Sequence, residues 1–248
     1  MKELRIEDLN CYRGSHLVLK RLNFSINSGE TLLVRGDNGS GKTTLLRVLS
    51  NYIRSYEGNI YFDELKIKED KNYKNKFTFI GQKNSLKDNL SVKKNLKLWE
   101  FLYNRKILPI EILSEFNLSQ LIDDDVSSLS DGQRKCISIQ KLRFSESILW
   151  FLDEPFVFLD EKNSKILMKK IEDFNKNNGI VIVTTNIDLG LKFQKLVVPA
   201  AAVMAGFMCA AIYFHLSISD PIVPTAPSTI MMLSCLGIIF MQKKLSRA

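Results

Sequence analysis

Histidine is nearly missing from this chain: His16 and His215 are the only two. The four cysteines, Cys11, Cys136, Cys209 and Cys235, lie far apart and form no CxxC pair. The usual nitrogen and sulfur ligands of a structural zinc site are therefore lacking. The same spacing offers no disulfide framework, which fits a reducing compartment. No dense lysine run interleaved with aromatics occurs either. Lys and Arg outnumber Asp and Glu by 35 to 27, but they are spread along the chain, so no nucleic-acid partner is expected. An anionic nucleotide or an anionic membrane surface accounts equally well for the net charge of +8. The opening "MKELRIEDLN" has no apolar h-region and is too acidic for a mitochondrial transit peptide; neither targeting segment is expected.

What is present divides near Lys195. Over residues 1–195 charges are frequent, whereas from Leu196 to Gln242 the only formally charged residue is Asp220. "LVVPAAAVMAGFMCAAIYFHL" (196–216) is long enough to cross a bilayer core, and "TAPSTIMMLSCLGIIFM" (225–241) is a shorter stretch interrupted by Pro227. Lys192 and Lys195 precede the first, and Lys243, Lys244 and Arg247 follow the second. A hairpin of two spans puts both basic flanks on one side, as the positive-inside rule prefers. Residues 196–248 are thus expected to be an apolar helical hairpin that anchors the chain to a membrane, with a buried hairpin or an appended sequence as the alternatives.

Residues 1–195 alternate strands and helices. "ELRIEDLNCY", "LVLKRLNFSI" and "NIYFDELKI" carry the period-two pattern of antiparallel strands. "SILWFLDEP" and "GIVIVTTN" are continuous apolar runs of the kind buried on both faces of a parallel sheet. Residues 91–127 read as mostly helical. The expected fold is α/β, a nucleotide-binding layout with a mixed sheet, an antiparallel β piece and a helical insertion.

"ETLLVRG" predicts a strand running into Gly36-Asp37-Asn38-Gly39-Ser40-Gly41-Lys42-Thr43, followed by Thr44 and a helical "KTTLLRVLSNYI". This satisfies GxxxxGK[ST] in the strand-to-helix context the motif requires. Its glycines let backbone N–H groups turn toward phosphate, and the helix N-terminus adds its dipole. Lys42 brings a point charge to the same phosphates, and Thr43 a hydroxyl for Mg²⁺. "ILWFLDEP" ends a second strand in Asp153 and Glu154. There Asp153 can order a water of the Mg²⁺ shell, and Glu154 can polarise the water that attacks the γ-phosphate. Gln82, after "FTFI", is a neutral group suited to touching both metal and water.

"LSDGQRK" (129–135) is a second anion-binding turn, well past the first. Here the sequence resembles the ATP-binding cassette ATPases. In that family such a signature loop caps the γ-phosphate of ATP held by the other subunit. The resemblance implies P-loop NTPase architecture of the ABC type over residues 1–195 and a head-to-tail homodimer, with Ser130, Gly132 and Gln133 serving the neighbouring site. It also implies that Tyr12 stacks on adenine and that Asp160, in "FVFLDEK", couples the two sites. More narrowly, "LLVRGDNGSGKTTLLRVLS", "IGQKNSLKDNLSVKKNLKLWEFL" and "ILWFLDEPF" resemble the haem-exporter ATPase of cytochrome c biogenesis, the CcmA type. That implies ATP turnover that releases haem from its carrier, a membrane subunit of the CcmB type, CcmC-like haem-handling components, and a place on the inner membrane at its cytoplasmic or matrix face. ATPases of other exporters share much of this core, so another ABC exporter is the alternative.

One position departs from the family. After "GIVIVTT" the family places a histidine that reaches the γ-phosphate; here stands Asn186. Asparagine donates through its amide but is shorter and carries no charge. Loss of one such contact costs about 2 to 4 kcal/mol, or roughly two to three decades in rate. A slow hydrolase is expected, with an ATP-gated assembly module that binds without turnover as its competitor.

Overall fold

The structure is a computed structural model that describes residues 2–186 and the backbone of Val197–Pro199. Strands β1 (Glu3–Arg13), β2 (His16–Asn27), β3 (Thr31–Arg35) and helix α1 (Lys42–Leu49) open the chain. Next come β4 (Glu57–Phe62), β5 (Leu65–Lys66), β6 (Phe77–Ile80), α2 (Val92–Tyr103), α3 (Pro109–Ser114), α4 (Asp131–Ile139) and α5 (Lys141–Phe144). The series closes with β7 (Leu149–Asp153), α6 (Glu161–Lys176), β8 (Ile180–Thr185) and β9 (Val197–Pro199).

The strands of the expected mixed layout, with its antiparallel piece, fall into two sheets. One is antiparallel, in the order β2-β1-β4-β5; the other is parallel, in the order β6-β7-β8-β3-β9. "NIYFDELKI" is not one strand: Asp63 takes a φ of 56°, and Phe62 pairs back on Leu65 across the turn. Asp tolerates that left-handed conformation better than most residues. In the helical insertion only α2 and α3 are α-helical; short 3₁₀ turns at Ser119–Leu121 and Val126–Ser128 carry the rest.

The parallel strands are buried on both faces, and consecutive residues feed different cores. Phe151 and Ile182 face the cluster shared with Leu4, Ile6, Leu46 and Phe62 of the antiparallel sheet and α1. Leu152, Val181 and Val183 face the opposite cluster, with Trp99, Ile112, Phe144, Leu167 and Ile171 from the helices. Each such side chain contributes about 1.5–3 kcal/mol on burial. The sheet is thereby clamped between two cores, which makes its strand ends a rigid platform.

The strand order brings the C-terminal ends of β3, β7 and β8 side by side, with β6 next to β7. Segments leaving that edge are where ligands bind in an open parallel sheet. The expected membrane hairpin lies outside the described residues, apart from its first few. Val197–Pro199 do not begin a helix; they pair parallel to β3 as edge strand β9, so the sheet takes a strand from beyond Lys195. Proline, with no N–H to give, is tolerated at such an edge. Among the described residues no helix is long and apolar enough to cross a membrane.

Candidate active site

Four segments leave the C-terminal edge of the parallel sheet: the glycine-rich loop after β3, Gln82 after β6, Asp153 and Glu154 at the end of β7, and Asn186 after β8. Gly41 caps α1 with a φ of 95°, and a Cβ there would stand 2.7 Å from Val18 Cγ1. Only glycine meets both demands without strain. Lys42, at the first position of α1, folds back so that Nζ donates to the carbonyls of Gly36 (2.6 Å) and Asp37 (3.1 Å). It also forms an ion pair of 3.2 Å with Glu154 Oε1. Both partners are buried, so their charges interact with little screening from water.

The Thr43 hydroxyl is shared between both Asp153 oxygens, at 3.1 and 2.9 Å, across 110 residues of sequence. Thr184 completes the arrangement. Its hydroxyl donates to Asp153 Oδ1 at 2.7 Å and accepts the Glu154 N–H at 3.1 Å. The Glu154 N–H also reaches the Thr184 carbonyl, again at 3.1 Å. These bonds hold Glu154 at a φ of 48°, a conformation that costs a residue other than glycine about 1–2 kcal/mol. Strain of this kind persists where the surroundings over-determine it, which is a feature of functional sites. Thr184 drew no attention in the sequence; two threonines closing an otherwise aliphatic strand were the available signal.

A cleft of 270 Å³ opens beside these groups. It is lined by Arg13, Val18, Asn38, Gly39, Gly41, Lys42, Thr43, Thr44 and Gln82. Asn38 and Gly39 are exposed at its rim. Arg13 and Val18 were missed in the sequence reading; the β1–β2 hairpin carries them there through the pairing of Arg13 with His16. Tyr12, 48% exposed, is not among the lining residues, and the strand register slips between Cys11 and Tyr12. Asn186 lies at the site through its backbone: its N–H donates to Glu154 Oε2 at 3.2 Å, while the residue itself is exposed.

The donors fit a nucleotide and its metal. Ser40 Oγ, inside the loop, is buried with no partner, a polar atom suited to a phosphate oxygen. Nothing lies within 4 Å of a Cβ built on Gly39, whose φ of 85° leaves the cradle open. Thr43, Asp153 and Gln82 supply oxygen donors, the set a hard divalent cation such as Mg²⁺ takes.

The signature turn stands apart from this cleft. Ser130 and Gln133 form a reciprocal cap on α4: Gln133 N–H to Ser130 Oγ at 3.3 Å, and Ser130 N–H to Gln133 Oε1 at 2.9 Å. Asp160 caps α6, accepting the Asn163 N–H at 2.7 Å. Neither Ser130, Gly132, Gln133 nor Asp160 lines the cleft. The signature turn and the loop before α6 do meet each other. A Cβ on Gly132 would stand 2.8 Å from the Phe158 carbonyl, in a loop where Phe158 itself has a φ of 69°. Gly132→Ala is accordingly expected to destabilise the fold by about 1–3 kcal/mol, because backbone must move to admit the methyl group. Thermal unfolding of the two proteins checks this; equal Tm values would contradict it.

A phosphate-binding loop, a sheet-edge carboxylate pair and a signature helix define an ATP-binding cassette. The model of the ABC transporter family matches residues 19–157, more than half of the chain, and the chain belongs to that family. Within it the chain is of the CcmA type. It is 32% identical over 197 residues to the cytochrome c biogenesis ATP-binding export protein CcmA of Aliivibrio fischeri, covering 78% of this chain and 96% of that protein. It is equally 32% identical to CcmA of Reclinomonas americana, over 77% of this chain and 88% of the other. Among solved structures, a Pyrococcus furiosus protein assigned as the ATP-binding protein of an ABC transporter superposes with a TM-score of 0.64 at 28% identity, over 75% of this chain and 92% of that one.

Proposed function

We propose that this chain is the ATP-binding and ATP-hydrolysing subunit of an ABC export complex in c-type cytochrome biogenesis, one whose turnover releases haem from its carrier. The observation that carries the catalytic reading is the joining of phosphate loop and carboxylates. Thr43 bonds Asp153, and Lys42 pairs with Glu154. Lys42 and the loop N–H groups would hold the β- and γ-phosphates, while Thr43, Gln82 and, through water, Asp153 would hold Mg²⁺. When bound, Mg²⁺ neutralises charge on the phosphate oxygens.

Glu154 is the general base. Its carboxylate takes the proton of the water that attacks the γ-phosphorus as the bond to ADP breaks. In this structure Lys42 and the Asn186 N–H occupy its two oxygens. Transfer of Lys42 to phosphate frees Oε1 for the water, and the Asn186 N–H keeps Oε2 in place. Catalysis is thus tied to occupancy of the phosphate loop.

Ser130, Gly132 and Gln133 cap the nucleotide of a second copy in a head-to-tail homodimer; their separation from the chain's own cleft supports this. Tyr12, the neighbour in sequence of the lining residue Arg13, takes the adenine, and Asp160 couples the two sites. The partners that follow are a membrane subunit of the CcmB type and CcmC-like components, at the cytoplasmic or matrix face of an inner membrane.

The test is Mg²⁺-dependent phosphate release by the full chain, alone and with its membrane subunit. Release that EDTA abolishes is expected. A second reading, an assembly module that binds ATP without turnover, draws on Asn186. Asn186→His is expected to raise the rate by about 10- to 100-fold, since it restores a side chain able to reach the γ-phosphate. An unchanged rate in an active parent would mean that Asn186 does not limit the reaction. No turnover in either protein, with ATP still bound, would favour the assembly module.

A further inference from the structure

Lys135 is 1% exposed, one of the largest fully buried side chains in the described residues. It stands in the first turns of α4, directly behind the signature residues. Its Nζ donates to the carbonyls of Gly81 and Gln82, both at 3.4 Å. Those two residues come just after Ile80, the last position of β6 paired with β7. The sheet ladder does not hold them, and Gln82 lines the nucleotide cleft. The ammonium also lies in the field of Asp153 and Glu154; burial pulls its pKa below the ordinary lysine value and those two carboxylates pull it back up. One buried cation thus touches three segments: the signature helix, the Gln82 turn and, through space, the carboxylates.

Burying an ammonium is costly, and two carbonyls at 3.4 Å are long partners that repay it incompletely. An apolar side chain of similar length would fill the same space at lower cost. Lys141 offers a contrast in the same region. It is a lysine whose Nζ donates to the Phe79 carbonyl at 3.5 Å, but Phe79 lies inside β6 and is held by its pairing with Phe151. The acceptor of Lys141 is thus held by the sheet ladder, whereas the acceptors of Lys135 lie beyond the ladder's last pair.

We propose that Lys135 is a positioning residue for ATP hydrolysis: it fastens the Gly81–Gln82 backbone to the signature helix, so that movement of this helix against a partner subunit moves Gln82 within the chain's own cleft. The inference rests on the ATPase reading above. It gives the two sites of a dimer a route of communication inside each chain, from the residues that cap the neighbour's nucleotide to a residue that contacts its own.

The experiment compares the full-length parent with Lys135→Met, Lys135→Arg and Lys141→Met. Lys135→Met is expected to lower kcat about 10- to 100-fold, the penalty of a misplaced catalytic group. KM for ATP is expected to stay within about twofold and Tm not to fall, because the nucleotide contacts are untouched and a desolvated charge is gone. Lys135→Arg restores most of kcat, and Lys141→Met matches the parent. Hydrogen exchange, which needs no turnover, is expected to quicken about 10-fold at the amides of residues 81–84 in Lys135→Met and not at those of 77–80. If Lys135→Met proves poorly folded, Lys135→Gln, which keeps a donor for one carbonyl, is measured for the same split. Parental kcat in the Met variant, or unchanged exchange at 81–84, overturns the proposal. A parent no more active than its Glu154→Gln variant overturns the ATPase reading alone, and the exchange result then decides whether Lys135 holds the turn.

Discussion

Glu154→Gln is expected to reduce Mg²⁺-dependent phosphate release by about 100- to 1,000-fold while ATP still binds. Glutamine keeps the size of the side chain and can accept the Asn186 N–H, now given to Oε2 at 3.2 Å. It cannot take a proton from water. The groups proposed to cradle phosphate, Lys42 and the loop amides, are unaltered, so nucleotide affinity is expected to be retained and bound ATP to persist. Measuring phosphate release beside equilibrium binding of ATP separates the two effects. Equal release by parent and variant would remove Glu154 as the base; loss of binding in the variant would make its role structural.

The second large effect concerns the pair of Lys42 and Glu154. Their side chains are 7% and 3% exposed at a separation of 3.2 Å, and removal of one partner leaves the other charge buried. Lys42→Ala is therefore expected to lower stability by about 3 kcal/mol. ATP affinity falls in the same variant by about 10- to 100-fold through loss of a charged contact to phosphate. The double variant Lys42→Ala with Glu154→Gln is expected to recover most of the stability, since no charge is then stranded, and none of the affinity. Denaturant unfolding and ATP titration on the four proteins of this cycle give the coupling directly. Additive losses of stability would show that the pair is not coupled in the folded protein.

Much of this was legible in the chain because the decisive features are local. Strand β3, the loop from Gly36 to Thr43 and α1 are contiguous, and the conformational demands on Gly41 follow from a short run of residues. The apolar run of β7 and its acidic end likewise declare a buried strand that stops at water's edge. Boundaries were harder. "NIYFDELKI" keeps its period-two pattern through Asp63, and only the pairing of Phe62 with Leu65 reveals two strands. The apolar stretch from Leu196 reads as one long segment, yet Val197–Pro199 lie beside β3. Hydropathy alone cannot tell a short apolar strand from the start of a membrane span.

The sequence by itself determined the phosphate loop, the carboxylates, the signature turn and the family to which they belong, because each rests on residue types at short spacing. Tertiary structure alone decided which of them meet. The order β6-β7-β8-β3 gathers four segments from distant parts of the chain at one sheet edge. It sets Thr184 between Asp153 and Glu154, engages Asn186 through its backbone, and buries Lys135 beneath the Gln82 turn. Pairing between strands and burial between two cores are long-range consequences of packing. No local pattern encodes them, because the same short motif tolerates many neighbours until the sheet chooses one.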